Sequence, residues 1–214
     1  MRQRNIKNLE EKIEMNSGCL IRQPENAAGH WKEIFANDNP VYLEIGCGKG
    51  KFITERAAAF PGMNFVAVEG QSNVVLRALE KAENSQLDNL RIFIAYVDDL
   101  TEYFSEGELS GIYLNFSDPW PKARHFKRRL TYRKRLENYA KVLQSGGFIE
   151  FKTDNDDLFE FTLEEIEAAG LKVEEETRDL HAANFESRFF TTEYEDRFSG
   201  TGKNINYVRF RKNL

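Results

Sequence analysis

VYLEIGCGKGKFITERAAAFPGMNFVAVE, residues 41–69, decides the fold of this chain. Val41 to Ile45 is a short run of strand-forming residues. Gly46, Gly48 and Gly50 follow it as GxGxG. Glycines at such a turn let the backbone bend sharply and let a ligand approach the main chain. Lys51 to Phe60 has helical spacing and is closed by Pro61-Gly62, and Asn64 to Glu69 is a second strand. A strand, a glycine turn, a helix and a strand make a βαβ unit, whose strands lie parallel.

The same alternation continues on either side. Ser72 to Glu83 reads as a helix with Ser72 as its N-cap, Arg91 to Tyr96 as a third strand and Gly111 to Ser117 as a fourth. Thr131 to Leu143 reads as a helix stopped by Ser145-Gly146-Gly147, followed by a fifth strand at Phe148 to Lys152. A helix capped by Asn155 or Asp156 runs to Ala169 and ends at Gly170. Val173 to Thr177 and Tyr207 to Arg211 suit a terminal antiparallel pair. The expectation is a Rossmann-like, doubly wound α/β fold, with a mainly parallel seven-stranded sheet and helices on both faces. Residues 39–214 form the domain and residues 1–38 an N-terminal extension. Arg2, Arg4 and Lys7 in that extension are either a nucleic-acid-touching arm or a solvated tail.

Composition narrows the class. A hydrophobic fraction of 41% is ordinary for a globular domain, and no apolar run is long enough for a membrane helix. The first residues are charged, unlike a secretory signal. Cys19 and Cys47 make no disulfide framework, and His30, His125 and His181 match no zinc spacing. The expectation is a cytoplasmic protein without membrane or metal, as a monomer or a homodimer.

Two acids frame the glycine turn. Glu44 lies on the first strand and Glu69 ends the second. A carboxylate at the latter position accepts ribose hydroxyls. A dinucleotide fingerprint would place its third glycine at residue 51, which is Lys51. Glu44, GxGxG and Glu69 together therefore suit a nucleoside with a compact zwitterionic tail, and S-adenosylmethionine fits. The fourth strand stops at Asp118-Pro119-Trp120-Pro121, because proline cannot donate to a ladder. Asp118 and Trp120 are thus left at a strand's carboxyl end, where open α/β sheets bind ligands.

Charge is concentrated just beyond. The chain has 30 basic and 35 acidic residues, a net of −5. Lys122, Arg124, Lys127, Arg128, Arg129, Arg133, Lys134 and Arg135 fall in one acid-free stretch, and without these eight the net would be −5 − 8 = −13. A basic island on an acidic protein is suited to phosphates, with an affinity that depends on salt. The alternative is a solvated helix face.

Asp118-Pro119-Trp120 resembles the (D/N)-P-P-(Y/F/W) element of methyltransferases that act on nucleobase nitrogens. The longer NFSDPWPKARHFKRRLTY at 115–132 resembles the bacterial tRNA (guanine-N7)-methyltransferase family. So do NDNP at 37–40, EIGCGKG at 44–50, FKTDN at 151–155, DLH at 179–181 and TEYE at 192–195. The resemblance implies a class I fold, S-adenosylmethionine as cofactor and a guanine in the tRNA variable loop as target. It implies cofactor contacts at Glu44, Gly46, Gly48, Glu69, Tyr96 and Asp118. Substrate contacts fall on Lys122, Asp154, Thr192, Glu193, Tyr194 and Glu195, and RNA contacts on Arg124, His125, Phe126, Lys127, Arg128 and Arg129. Two departures stand out. An acid is expected after the third strand where this chain has Tyr96, with Asp98 and Asp99 close behind, and one extra residue lies within 188–191.

Chemistry assigns roles within that set. Guanine N7 carries an in-plane lone pair and no proton, so methylation needs alignment rather than a general base. The ring becomes cationic, and a carboxylate beside it stabilises the developing charge. Asp118 is the candidate, its alternative role being a turn former before proline. Asp154 and Glu193 are candidates for guanine's donors, unless Asp154 is a helix cap or Glu193 a surface acid. Trp120 either stacks on the base or packs under its loop. Rival readings are another nitrogen methyltransferase, an NAD-dependent oxidoreductase and a non-catalytic RNA-binding module.

Overall fold

The computed structural model describes residues 6–199 and 202–212. The strands are β1 (Val41–Ile45), β2 (Asn64–Glu69), β3 (Leu90–Ile94), β4 (Leu109–Asn115), β5 (Leu143–Thr153), β6 (Leu171–Thr177) and β7 (Asn206–Lys212). They form one sheet in the order β3-β2-β1-β4-β5-β7-β6. β1 to β5 are parallel, and β7 runs antiparallel between β5 and β6. The order reverses between β1 and β4, and ligands of such sheets bind at that switch point.

Helices α1 (Leu9–Met15), α2 (Trp31–Phe35), α3 (Lys51–Ala59), α4 (Ser72–Asn84), α5 (Arg133–Val142), α6 (Asp156–Ala168) and α7 (Glu193–Ser199) complete the chain. Successive strand residues point to opposite faces, and the sheet accordingly has a core on each side. Val66 and Val68 of β2 join Leu136 of α5 and Phe159 of α6 in one cluster. Phe65 and Ala67 of the same strand join Phe52 of α3 and Leu79 of α4 in the other.

Residues 6–38 are tied to this body. Ile21 N–H donates to the Ile92 carbonyl at 2.8 Å, and Ile92 N–H to the Cys19 carbonyl at 2.8 Å, so the segment adds to the β3 edge. Trp31 is fully buried, stacks on Phe104 at 5.1 Å and donates its indole N–H to the Tyr103 carbonyl. Lys7 is exposed, whereas Arg2 and Arg4 lie outside the described residues.

Several local expectations need correction. Ser72 is the first residue of α4 rather than its cap; Gln71 holds the cap position and makes no side-chain capping bond. Asn155 caps α6, accepting from Leu158 N–H at 2.8 Å, which frees Asp154 and Asp156 from that task. β4 ends at Asn115, two residues early, because Phe116 turns to φ +50°. Ser145-Gly146-Gly147 lies inside β5, where Leu109 pairs with Leu143 and Gly111 already with Phe148. The glycines thus form an outward excursion of the strand rather than a gap between helix and strand.

Candidate active site

The glycine turn after β1 carries φ of +78° at Gly46 and +58° at Gly48. Side-chain-bearing residues avoid that region. A Cβ on either glycine would meet nothing within 4 Å, so both leave open space above the turn. Gly50 has the opposite reason: a Cβ there would stand 2.6 Å from Ala78 Cβ, so it sets how closely α3 and α4 pack.

That open space belongs to a cavity of about 720 Å³ at the switch point. Gly46, Glu69, Tyr96 and Asp118 line it together, with Lys127 and Arg128 among its walls. Gly46 and Asp118, 72 positions apart in the chain, thus share one cavity because β1, β2 and β4 end at the same edge of the sheet. Glu69 is held by backbone donors: Gly48 N–H at 3.1 Å to one oxygen and Gln71 N–H at 3.0 Å to the other. Each oxygen keeps a lone pair for a further donor.

Glu44 is set behind the turn and is 1% exposed. One oxygen accepts from Asn115 Nδ2 at 2.8 Å and the other has no hydrogen-bond partner among the described residues. Burial pushes its carboxyl up to about 8, against the lowering effect of the Asn115 bond. An unfolded glutamate titrates near ~4.3. The folded state therefore binds the extra proton between these values. Glu44's contribution to stability is complete below the lower one and is lost as pH rises through the upper one. Glu44→Gln stays uncharged throughout. Its Tm is expected to gain on the native protein steadily from about pH 5 to about pH 9. A Tm difference that does not change with pH would refute this, and thermal melts in a buffer series provide the check.

Asp118 is exposed to the cavity, and among the described residues no hydrogen bond or ion pair holds its carboxylate. The loop that carries it is strained, with Phe116 at φ +50° and Trp120 at φ +41°. Non-glycine residues in such conformations cost on the order of 1–3 kcal/mol and persist where surrounding structure holds them. Phe116 is anchored by its N–H to the Lys152 carbonyl at 2.9 Å. At the other end, Arg129 donates to the Pro119 carbonyl at 2.9 Å and the Trp120 carbonyl at 3.4 Å while resting on the Phe161 ring at 4.3 Å. Arg129 therefore buttresses the Asp-Pro-Trp loop through two of its N–H donors, with the Phe161 ring against its guanidinium.

The basic run is not uniform. Arg133 pairs with Glu165 at 2.8 Å and Arg135 with Asp98 at 2.7 Å, so acids from other elements neutralise part of it. Lys122, Arg124, Lys127 and Arg128 remain on the surface, three of them in one 3₁₀ turn at Ala123–Arg128 and Lys122 just before it. Arg128 lies over the Trp120 ring at 4.4 Å, and His125 meets that ring edge-on at 5.8 Å. Trp120 thus lines the cavity with Arg128 on one face instead of packing under the loop. Phe126 stands edge-on to Tyr132 at 5.3 Å.

The TEYE string divides between surface and scaffold. Thr192 caps α7, its hydroxyl accepting from Glu195 N–H at 3.0 Å. Glu195 is 1% exposed, with His181 Nε2 at 3.2 Å, and burial pushes its carboxyl up against the pull of Lys152. Thr192 is thus a half-buried helix cap, and Glu195 points into the protein. Glu193 reaches the glycine turn, pairing with Lys81 and accepting from Lys51 N–H at 3.4 Å, so it is not a free surface acid. Tyr194 packs on Phe116 at 5.1 Å and donates its hydroxyl to Asp154 at 3.1 Å.

Sequence reasoning missed Asn115 and Lys152. Lys152 is buried beneath the site, donating to the Ser187 and Phe190 carbonyls at 2.7 Å each, and burial pulls its ammonium down. A lysine in the middle of the apolar β5 pattern was the available signal. Among the acids after β3, Asp99 caps a turn at Thr101 and accepts from Asn138, so it faces away; Asp98 reaches the cavity but is tied to Arg135.

A seven-stranded sheet of this order, with a glycine turn and an acid-flanked cavity at its switch point, defines a class I S-adenosylmethionine-dependent methyltransferase. Solved structures share the fold: the 16S rRNA methyltransferase KamB superposes with a TM-score of 0.64 over 86% of this chain and 94% of its own, at 14% identity. The family model described as "Putative methyltransferase" matches residues 38–208. A tRNA (guanine-N(7)-)-methyltransferase of Streptococcus mutans is 45% identical over 99% of this chain and 100% of its own length. One of Geobacillus sp. is 48% identical over 96% and 93%. The chain belongs to the tRNA (guanine-N7)-methyltransferase family.

Proposed function

We propose that this chain transfers a methyl group from S-adenosylmethionine to N7 of a guanine in the variable loop of tRNA. The observation that carries this reading is the meeting of Asp118, Glu69 and the glycine turn in one cavity, with Lys127 and Arg128 among its lining residues.

The cavity's residues fit the cofactor. Gly46 leaves open space and Glu69 offers two oriented oxygens for ribose hydroxyls, while Glu44 stands behind the turn with one oxygen unpartnered among the described residues. When bound, S-adenosylmethionine supplies an electrophilic methyl group on a cationic sulfonium. The chain's own residues hold and align the guanine. No side chain has to remove a proton, because N7 carries none. Asp118 places a carboxylate beside the imidazole ring that becomes cationic, which is electrostatic stabilisation by a preorganised group. Asp154, bonded to Tyr194, and Glu193, the first residue of α7, are the acceptors for guanine's N1–H and N2–H₂. The hydroxyl of Tyr194 orients Asp154. Lys122, Arg124, His125, Phe126, Lys127 and Arg128 meet the RNA around the target, whose base is presented by unstacking. Arg129, Thr192 and Glu195 keep the loops in place.

The test is a transfer assay with labelled S-adenosylmethionine and unmodified tRNA transcripts, followed by nucleoside identification. Label is expected in 7-methylguanosine and is lost when the variable-loop guanine is replaced. Label in a different nucleoside would overturn the substrate assignment.

A further inference from the structure

The end of β3 is unusual. Tyr96 is 78% exposed although it is aromatic and lines the cavity. Its ring stands directly over Gly70: a Cβ at Gly70 would lie 2.6 Å from Tyr96 Cζ and closer still to Cδ1 and Cε1. Any other residue at position 70 would push the ring away, so Gly70 and Tyr96 form a matched pair. The neighbouring acids each have a partner. Asp98 pairs with Arg135 at 2.7 Å, the same arginine that holds the Val97 carbonyl at 2.8 Å. Asp99 faces Thr101 and Asn138.

This end of the cavity therefore offers a flat aromatic face beside Glu69, and the acid that follows it, Asp98, is paired with Arg135 through one oxygen. Aromatic faces hold purines by stacking, and stacking is tolerant of the groups on the ring's edge. A carboxylate would read the 6-amino group as a donor and reject a 6-oxo purine, which has a carbonyl there. We propose that Tyr96, seated on Gly70, holds the cofactor's purine by ring contact, so that this enzyme discriminates little between 6-amino and 6-oxo purines. The inference rests on the S-adenosylmethionine reading of the site and adds the basis of purine recognition.

The experiment is calorimetric titration with S-adenosylhomocysteine and its 6-oxo counterpart, S-inosylhomocysteine. The native protein is expected to bind both within about threefold of each other. Tyr96→Phe keeps both affinities, because the face and not the hydroxyl makes the contact. Tyr96→Leu weakens both by about tenfold, the scale of one base–aromatic stack. Tyr96→Asp restores a carboxylate and favours the 6-amino ligand by about tenfold or more, as a charged hydrogen bond would. Asp98→Asn leaves the ratio unchanged. A native preference for the 6-amino ligand above about tenfold, or a ratio that moves in Asp98→Asn, would overturn the inference while leaving the cofactor reading intact. No binding of either ligand by the native protein would overturn both.

Discussion

Asp118→Asn is expected to lower kcat by about 10²- to 10³-fold, the range seen when one preorganised electrostatic group is removed. The substitution keeps the shape and the loop and removes only the charge. Asp118 is exposed to the cavity and carries no structural bond among the described residues, so Tm is expected to stay at the native value. The KM for tRNA is also expected to hold, because the ground-state guanine is neutral and the carboxylate acts as the ring gains charge. Steady-state kinetics together with a thermal melt decide the matter. A kcat within about threefold of native would remove Asp118 from its proposed role, and a large fall in Tm would reassign it to the scaffold.

The second large effect concerns RNA. Arg124→Ala, Lys127→Ala and Arg128→Ala combined should weaken tRNA binding by about 10- to 100-fold at about 0.1 M salt. The slope of log K against log salt should fall by about two to three, since each phosphate contact contributes about 0.7–0.9. Arg129→Ala is the contrast. It leaves the Pro119 and Trp120 carbonyls without their donor, so it should lower Tm while leaving the salt slope near native. A triple variant with the native slope would move the RNA contacts elsewhere on the surface.

These two experiments turn on a distinction that sequence does not display. Arg128 and Arg129 are adjacent and chemically identical, yet one covers Trp120 at the cavity and the other is folded against Phe161 of α6. The same holds for TEYE. Glu193 and Glu195 are two residues apart in a short helix, which places one toward the glycine turn and the other into the core beside His181. The end of β4 is hidden from the residue pattern for a related reason. Phe116 and Ser117 continue the apolar alternation, and only the positive φ at Phe116 breaks it.

Whatever depends on neighbours in the chain could be read directly. Glycines at a strand's end, alternating apolar residues and proline after aspartate bias the backbone locally, so the βαβ units, the glycine turn and the position of Asp118 followed from residue order. Which charged side chain faces solvent, which buttresses a loop and which lies buried was decided by packing between α6, α7 and the sheet. Such contacts join residues from separate elements, as Arg129 and Phe161 of α6 do across 32 positions. Burial, which sets both the charge state of Glu44 and the reach of Glu195, exists only once such distant segments have closed over them.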